Sequence, residues 1–349
     1  MKIAVLLSGG VDSSVALNLI KQGGHAVTAF YLKIWLEDDL AFLGDCPWDE
    51  DLGYAQAVCE QAGVPLEIVP LQTKYFEKVV DHAISELKAG RTPSPDILCN
   101  QRIKFGEFFK AIDDSFDKVA SGHYAQIEER DGLFWLKRAP DPVKDQTYFL
   151  SSLSQAQLSR ALFPIGAYTK AEVRELAQQF DLPTKSRKDS QGICFLGKIR
   201  YQDFVEAYLG EQPGDIVEIE TGEVLGRHRG LWFHTIGQRR GLGLHGGPWF
   251  VVNKDMARDV IYVSHQEHLE AQTRDRFSVG NVHWIAGPPA RPDLQVKIRH
   301  SPHLEPCRVE PLGEQRLCIT LENDEPGIAP GQSAVLYDGE VCLGGGVIE

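Results

Sequence analysis

A doubly wound parallel α/β sheet, followed by a small α/β module and a C-terminal β-barrel, is the architecture that this sequence predicts. Three observations carry it. Strand and helix patterns alternate from the first residues to about 200, helical periodicity fades after Tyr201, and short β-rich runs between Pro/Gly turns fill the stretch from Phe277 to Glu349. The expected units are 1–200, 201–272 and 273–349.

The apolar run Lys2 to Leu7 is short enough for a buried strand, and Val15, Leu17, Leu19 and Ile20 fit a helix packed on it. Gly23-Gly24 ends that unit, and Ala26 to Leu32 reads as a second strand. A helix is expected from Asp49, as N-cap, to Gly63, then a strand at Leu66 to Val69 and a helix at Tyr75 to Leu87. Gly90 to Asn100 contains two prolines and reads as a loop that delivers Asp96 and Cys99. Beyond it come a helix at Gln101 to Phe116, a strand at Lys118 to Ala120, a hairpin turning at Asp131-Gly132, and helices near 154–162 and 170–180. Ligands of such a sheet gather at the carboxyl ends of its strands.

Composition narrows the class. No apolar run approaches the ~18 residues that a membrane span needs, and the chain opens straight into a strand without a signal-peptide pattern, so a cytoplasmic protein without membrane attachment is expected. Seven cysteines with no C-x-x-C pair argue against a disulfide framework or a zinc ribbon. The net charge of -13 argues against a nucleic-acid partner, but it is unevenly spread. Ile34 to Thr73 holds nine acids and no Lys or Arg, whereas Lys185, Arg187, Lys188, Lys198 and Arg200 surround the single acid Asp189. Phosphates are held by whichever face is basic, and salt screens charges beyond about 10 Å, so the local footprint decides.

The stretch Ser8-Gly9-Gly10-Val11-Asp12-Ser13-Ser14 joins the first strand to the first helix. Two glycines let backbone N–H groups crowd an anion, and the new helix adds four unpaired donors and its positive dipole end. An ordinary βα turn with serine caps would use similar residues. The stretch lacks the lysine of a Walker A loop. It resembles the pyrophosphate loop of the N-type ATP pyrophosphatases, which cleave ATP between the α- and β-phosphates and adenylylate an oxygen of their substrate. Of the cysteines, Cys59, Cys318 and Cys342 sit in apolar patterns and read as core. Cys99 and Cys194 sit in polar stretches, the latter among cations that favour a thiolate, and on chemistry alone a catalytic pair and two unrelated thiols remain open.

Further stretches run along nearly the whole chain: R-T-P-S-P-D-I-L-C-N from Arg91, I-K-F-G from Ile103, S-G-H-Y-A from Ser121, K-D-Q-T-Y-F-L from Lys144, D-S-Q-G-I-C-F-L-G from Asp189, H-T-I-G-Q-R-R-G-L-G-L from His234, P-G-Q-S-A-V from Pro330 and G-E-V-C-L-G-G-G from Gly339. Jointly they resemble the tRNA-specific 2-thiouridylases, which replace the C2 oxygen of the wobble uridine with sulfur. Departures are mild: Ser94 stands where the family often has Asn, Ser121 where it has Thr, and the insert around Gly44 to Trp48 varies.

The resemblance implies ATP at Leu6, Leu7, Ser8, Gly9, Gly10, Val11, Asp12, Ser13, Leu32 and Gly122; Mg²⁺ is expected on the phosphates, as in other nucleotide sites, with no residue assigned to it. It implies the target base at Ser94, Pro95 and Asp96, with Asp96 as general acid/base, and tRNA at His123, Lys144, Asp145, Gln146, Arg299, His300 and Gln332. Cys194 would carry the persulfide received from a sulfur-donor protein, and Cys99 would be the second thiol, the two closing each cycle as a disulfide. Singly, Lys144, Arg299 and Gln332 would default to solvated surface roles and His123 to a structural one. Three other readings stay open: adenylylation of a small metabolite, an iron–sulfur cluster on Asp96, Cys99 and Cys194, and a tRNA-binding module with a degenerate nucleotide site. Oligomeric state is not legible, and a monomer is the working expectation.

Overall fold

The computed structural model describes residues 1–34, 48–189 and 200–349. Cys46 and Cys194 lie outside the described residues.

The N-terminal sheet is parallel, with strand order β3-β2-β1-β4-β7. Its elements are β1 (Lys2–Leu6), α1 (Val11–Gln22), β2 (Ala26–Lys33), α2 (Trp48–Ala62), β3 (Leu66–Pro70), helix α3 over 72–88, helix α4 over 95–111, β4 (Lys118–Ala120) and β7 (Ala161–Leu162). Ile3, Ala4 and Val5 are fully buried, as the central strand of a two-faced sheet requires. Consecutive strands step outward from β1 to β2 and β3 on one side, while β4 lies on the other. The chain order therefore reverses beside β1, and the crevice at the carboxyl ends of β1 and β4 is the switch point of the sheet.

One expectation is corrected here. The stretch from Gly90 to Asn100 is a loop only to Ser94; a helix begins at Pro95, and both Asp96 and Cys99 lie on it. A proline at the first helical position has no N–H to lose, so the second proline starts a helix rather than excluding one. The helix ends at Ala111, short of Phe116. Over Cys99–Glu107 its turns widen to i→i+5 spacing. Gln157 explains the widening: its Nε2 donates to the carbonyls of Gln101 at 2.7 Å and Phe105 at 2.8 Å, taking acceptors from the helix ladder. A Cβ on Gly106 would stand 2.8 Å from the Gln101 oxygen, so the wide turn also needs glycine there.

Helices α5 (Thr147–Leu150), α6 (Gln155–Arg160) and α7 (Lys170–Gln179) complete the first unit, and α8 (Tyr201–Leu209) opens the second. The middle sheet has order β10-β11-β8-β9, from β8 (Gly214–Glu218), β9 (Val224–His228), β10 (Trp249–Asp255) and β11 (Val260–His265). Six antiparallel strands close the C-terminal barrel, since β12 pairs with both β15 and β17: β12 (Arg274–Trp284), β13 (Asp293–Lys297), β14 (Glu305–Gly313), β15 (Arg316–Glu325), β16 (Ser333–Asp338) and β17 (Val341–Ile348). The hairpin β5 (Ala125–Arg130) and β6 (Leu133–Arg138) belongs to the first unit by sequence but pairs with the barrel, Cys342 opposite Leu136. The same hydrophobic cluster contains Ala4 and Phe105 from the first unit, Phe204 and Phe233 from the second, and Val335 and Tyr337 from the barrel. Burial of shared apolar surface is what holds the three units together. No helix among the described residues is long and apolar enough to cross a membrane.

Candidate functional site

The loop after β1 builds an anion cradle from its own backbone. Gly9 takes φ +74°, open to glycine at little cost, and a Cβ there would collide with the Asp51 carbonyl. Ser13 Oγ sits 3.2 Å from both the Ser8 N–H and the Ser8 hydroxyl and donates to the Gly10 carbonyl at 3.1 Å, closing the turn. No side chain caps the start of α1, and the N–H groups of its first turn precede the helix's own hydrogen-bond ladder. Gly122, just past β4, lies against them: a Cβ there would stand 2.6 Å from the Ser13 nitrogen. Leu6 and Leu7 are buried beneath the loop, and Leu32 lies near the carboxyl end of β2. The residues expected at ATP are thus gathered at one end of the sheet.

A charge network that sequence reasoning missed surrounds this loop. Asp12 Oδ1 accepts from the Tyr124 hydroxyl at 2.8 Å and from Lys170 Nζ at 2.7 Å. The same ammonium is 2.8 Å from Asp189, which also accepts from Lys144 at 2.6 Å and from Arg174. Burial raises the Asp189 carboxyl, and the Lys144 and Lys170 hydrogen bonds outweigh it, holding the group well below the carboxylate range. Arg187 donates to the Gly9 carbonyl and to Asp51, both at 2.7 Å, and its guanidinium lies 4.3 Å from the Tyr54 ring centre. The sequence signals were present but unread: a capping box at Thr169 and Glu172 fixes the start of α7, and Lys170 and Arg174 at i and i+4 share a face.

A second cluster forms where α4, α5 and the barrel meet. The Tyr148 hydroxyl donates to the Ser333 carbonyl at 3.0 Å and also meets the Ser94 hydroxyl. His300 Nε2 donates to the Asp145 carbonyl at 3.2 Å, and its ring centre is 4.6 Å from that of Phe149. Burial lowers the His300 pKa, opposed by the Asp145 carbonyl and the Asp96 charge, so His300 and Asp96 are electrostatic neighbours. Gln332 belongs to a barrel turn docked on the loop before α4: Thr92 N donates to the Pro330 carbonyl at 2.8 Å, and a Cβ on Gly331 would stand 2.8 Å from that nitrogen. Thr235 of the middle unit reaches the same loop, its hydroxyl 3.3 Å from that of Thr92. Cys99 is 1% exposed in the shared core, not in a polar loop as its sequence neighbours suggest.

Residues 144–148 run between the two clusters, and adjacent positions face opposite ways. Lys144 joins Asp189, whereas the fully buried Asp145 accepts from Lys297 at 2.9 Å, from Arg138 at 3.1 Å and from Thr147 at 2.8 Å. Burial raises the Asp145 carboxyl, and these partners, Lys297 first, bring it below its ordinary value. Gln146 accepts from the Tyr124 N–H at 2.9 Å. His123 is buried between the Phe105 and Phe163 rings, with Nδ1 2.7 Å from the Ser121 hydroxyl; burial, then Lys104, hold its pKa well below the ordinary value, so it is neutral at pH 7. Arg299 is exposed and pairs with Glu325 at 2.9 Å. Of the residues expected at tRNA, the side chains of Asp145 and His123 therefore face inward and Arg299 is exposed, while His300 keeps an exposed edge with its ring packed on Phe149 and its Nε2 on the Asp145 carbonyl.

A phosphate-type loop at the switch point of a doubly wound sheet, joined through a shared core to a closed barrel, defines a nucleotide-site α/β protein with appended β domains. Residues 1–198 match a family model described as a tRNA methyl transferase HUP domain, residues 202–265 a tRNA methyl transferase PRC-barrel domain, and residues 274–348 an aminomethyltransferase beta-barrel domain. Two similar full-length proteins are the tRNA-specific 2-thiouridylase MnmA of Parabacteroides distasonis, 47% identical over 357 residues (100% of this chain, 99% of that one), and MnmA 1 of Bacteroides thetaiotaomicron, 48% identical over 356 residues with the same coverage. The chain belongs to the tRNA-specific 2-thiouridylase family. Among solved structures, a 4-thiouridine synthetase–RNA complex with bound ATP is 16% identical with a TM-score of 0.35, covering 59% of this chain and 49% of that one.

Proposed function

We propose that the chain is an ATP-dependent tRNA sulfurtransferase that forms 2-thiouridine at the wobble position of tRNAs of the Lys, Glu and Gln type. The observation that carries this is the gathering of the glycine turn, the α1 N-terminus and Gly122 at the switch point. The family models carry methyl-transfer names and the full-length relatives a thiolation name. The loop favours the second, because activating an oxygen with a triphosphate needs a phosphate cradle.

The C2 oxygen of uracil leaves badly. On this reading it attacks the α-phosphate of ATP, and pyrophosphate departs into the cradle of residues 8–13. The outer sulfur of a Cys194 persulfide then bonds C2, and AMP leaves carrying the original oxygen. Cys99 attacks the inner Cys194 sulfur, so the sulfur–sulfur bond of the persulfide gives way to a Cys99–Cys194 disulfide that an external thiol reduces. Asp96, with Ser94 and Pro95, handles the base and its proton. Mg²⁺ enters as the MgATP substrate complex; among the described residues no group of three or more His, Cys, Asp or Glu could hold a metal. A donor protein loads the persulfide, residues 1–200 carry the chemistry, and 273–349 with the junction at 201–272 hold tRNA, in a cytoplasmic, monomeric protein.

Lys144, Gln146, Arg299, His300 and Gln332 touch tRNA on this reading, while His123 and Asp145 act by holding their neighbours. Incubation with ATP, Mg²⁺, a persulfide donor and unmodified tRNA should yield a tRNA retarded on a thiol-sensitive gel. Pyrophosphate release with a small acceptor and no retarded tRNA would replace this reading with metabolite adenylylation. Arg299→Ala combined with His300→Ala should weaken tRNA binding and reduce the salt slope by about 1 for each phosphate that is no longer neutralised. An unchanged slope would remove the pair from the interface.

A further inference from the structure

The stretch H-T-I-G-Q-R-R-G-L-G-L from His234 has no role in the chemistry above, yet it carries two adjacent cations that the fold itself does not use. Arg239 and Arg240 are both exposed, and among the described residues neither guanidinium meets a carboxylate, a carbonyl or a ring. The other arginines of the middle unit are paired, Arg227 with Asp215, Arg229 with Glu206 and Glu211, and Arg258 with Asp255. No Asp or Glu occurs from Val224 to Lys254, in a chain of net charge -13, so no acid of their own stretch offsets the two charges.

The backbone that presents them is fixed on both sides. Gln238 accepts from the Thr235 N–H at 3.0 Å and donates to the Arg240 carbonyl at 2.8 Å, tying the turn across its mouth. The Gly237 N–H donates to the Val251 carbonyl at 2.8 Å and the Val251 N–H to the Gln238 carbonyl at 3.0 Å, which anchors the turn on β10. Lys254 of the same strand donates to the His234 carbonyl at 2.9 Å. On its other side the turn packs on the barrel. Gly237 has φ +84°, and a Cβ there would stand 2.9 Å from the Gly327 Cα. Glu325 holds Gly327 in place, its Oε1 accepting from the Gly327 N–H at 3.0 Å and from Arg299 at 2.9 Å. The turn thus meets the barrel at the residue that shares Glu325 with Arg299, and Thr235 at its start touches Thr92, two residues before Ser94.

We propose that Arg239 and Arg240 form a phosphate clamp on the middle unit, one that continues the tRNA face of Arg299 across the junction and holds the RNA backbone rather than any base. The inference rests on the tRNA reading given under Proposed function. A planar guanidinium matches the paired oxygens of a phosphate, and a turn that is already fixed loses little freedom on binding. Continuity with Arg299 and Ser94 favours RNA over an acidic protein segment. Phosphate contacts position an RNA without reading its sequence, so the clamp acts alike on every tRNA.

The test measures binding of unmodified tRNA to the full chain by fluorescence anisotropy, from about 50 to about 200 mM salt. Arg239→Ala combined with Arg240→Ala should reduce the salt slope by about 2, so that the loss of affinity over this range becomes about tenfold smaller. Arg239→Lys with Arg240→Lys should keep the slope, because each ammonium still neutralises a phosphate. The alanine pair should weaken tRNAs with and without a Lys, Glu or Gln anticodon by the same factor. Its thermal melt should match that of the unaltered protein, since neither side chain has a partner in the fold to lose. An unchanged slope in the alanine pair overturns the clamp. Weakening confined to the Lys, Glu and Gln tRNAs overturns it in favour of base reading, and unchanged tRNA binding with slower persulfide loading assigns the arginines to the donor protein instead. Failure of the unaltered protein to bind any tRNA would overturn the proposed function, and the clamp with it.

Discussion

Cys194→Ser is expected to abolish thiolation of tRNA, by at least about a thousandfold, while tRNA binding and tRNA-dependent pyrophosphate release persist. Loss of a nucleophile commonly costs this much or more, and in the proposed sequence adenylylation precedes the sulfur step, so the two half-reactions should separate. Cys99→Ser should be equally inactive in multiple turnover. Burial does not single Cys99 out for the role proposed for it: Cys59, Cys307, Cys318 and Cys342 are also buried. Desolvation pushes the Cys59 thiol up to about 11 and the Cys307 and Cys342 thiols up to about 12, which keeps them protonated and inert. Serine at any of those three should leave thiolation intact. The measurement is the fraction of retarded tRNA at matched protein, with thermal melts run beside it because Cys99 sits in the shared core. Thiolation by either Cys194→Ser or Cys99→Ser would remove that thiol from the mechanism.

The parts of this site that were legible in the sequence are those whose chemistry is local. Ser8 to Ser13 could be read because a strand, a glycine turn and a helix follow one another within a dozen residues, and backbone donors need no distant partner. The start of α4 was not legible, because two prolines two residues apart suggest a loop, whereas Pro95 occupies the one helical position that suits it. Longer-range pairing hid the rest. Nothing in Leu133–Arg138 announces that the strand joins the barrel through Leu136 and Cys342, since the partner lies some two hundred residues later. Polar motif residues also look alike in sequence: Lys144 and Asp145 are neighbours, yet one joins the Asp189 network and the other is sealed inside. Lys297 did carry a signal, a lysine between Val296 and Ile298 in an apolar strand, which calls for a buried partner of opposite charge.

That buried pair sets the second large effect. Lys297 and Asp145 both have side chains with no exposed surface, one on the barrel and one on the first unit, 2.9 Å apart. Lys297→Met should cost about 3–5 kcal/mol of stability, because it removes the principal cation and leaves Asp145 with Arg138 and the Thr147 hydroxyl. Asp145→Asn should cost a similar amount by stranding the ammonium. The double variant should lose much less than the two single losses together, since neither charge is then left behind. Denaturant melts of the four proteins close the cycle, and a loss below about 1 kcal/mol in both single variants would show that the pair is dispensable. The pH dependence has a definite sign. Asp145 is held below its ordinary value of 3.8, so the folded state binds fewer protons than the unfolded one; the stabilisation is complete above 3.8 and is lost as the pH falls from there through the lower value of the folded state. The Asp145→Asn protein should lack that acid-side loss. Function should follow stability here, because Arg299 and His300 come just after the strand that ends at Lys297, and His300 bonds the Asp145 carbonyl. Loosening the pair therefore frees the two exposed side chains assigned to tRNA, and Lys297→Met should weaken tRNA binding under conditions where the protein remains folded.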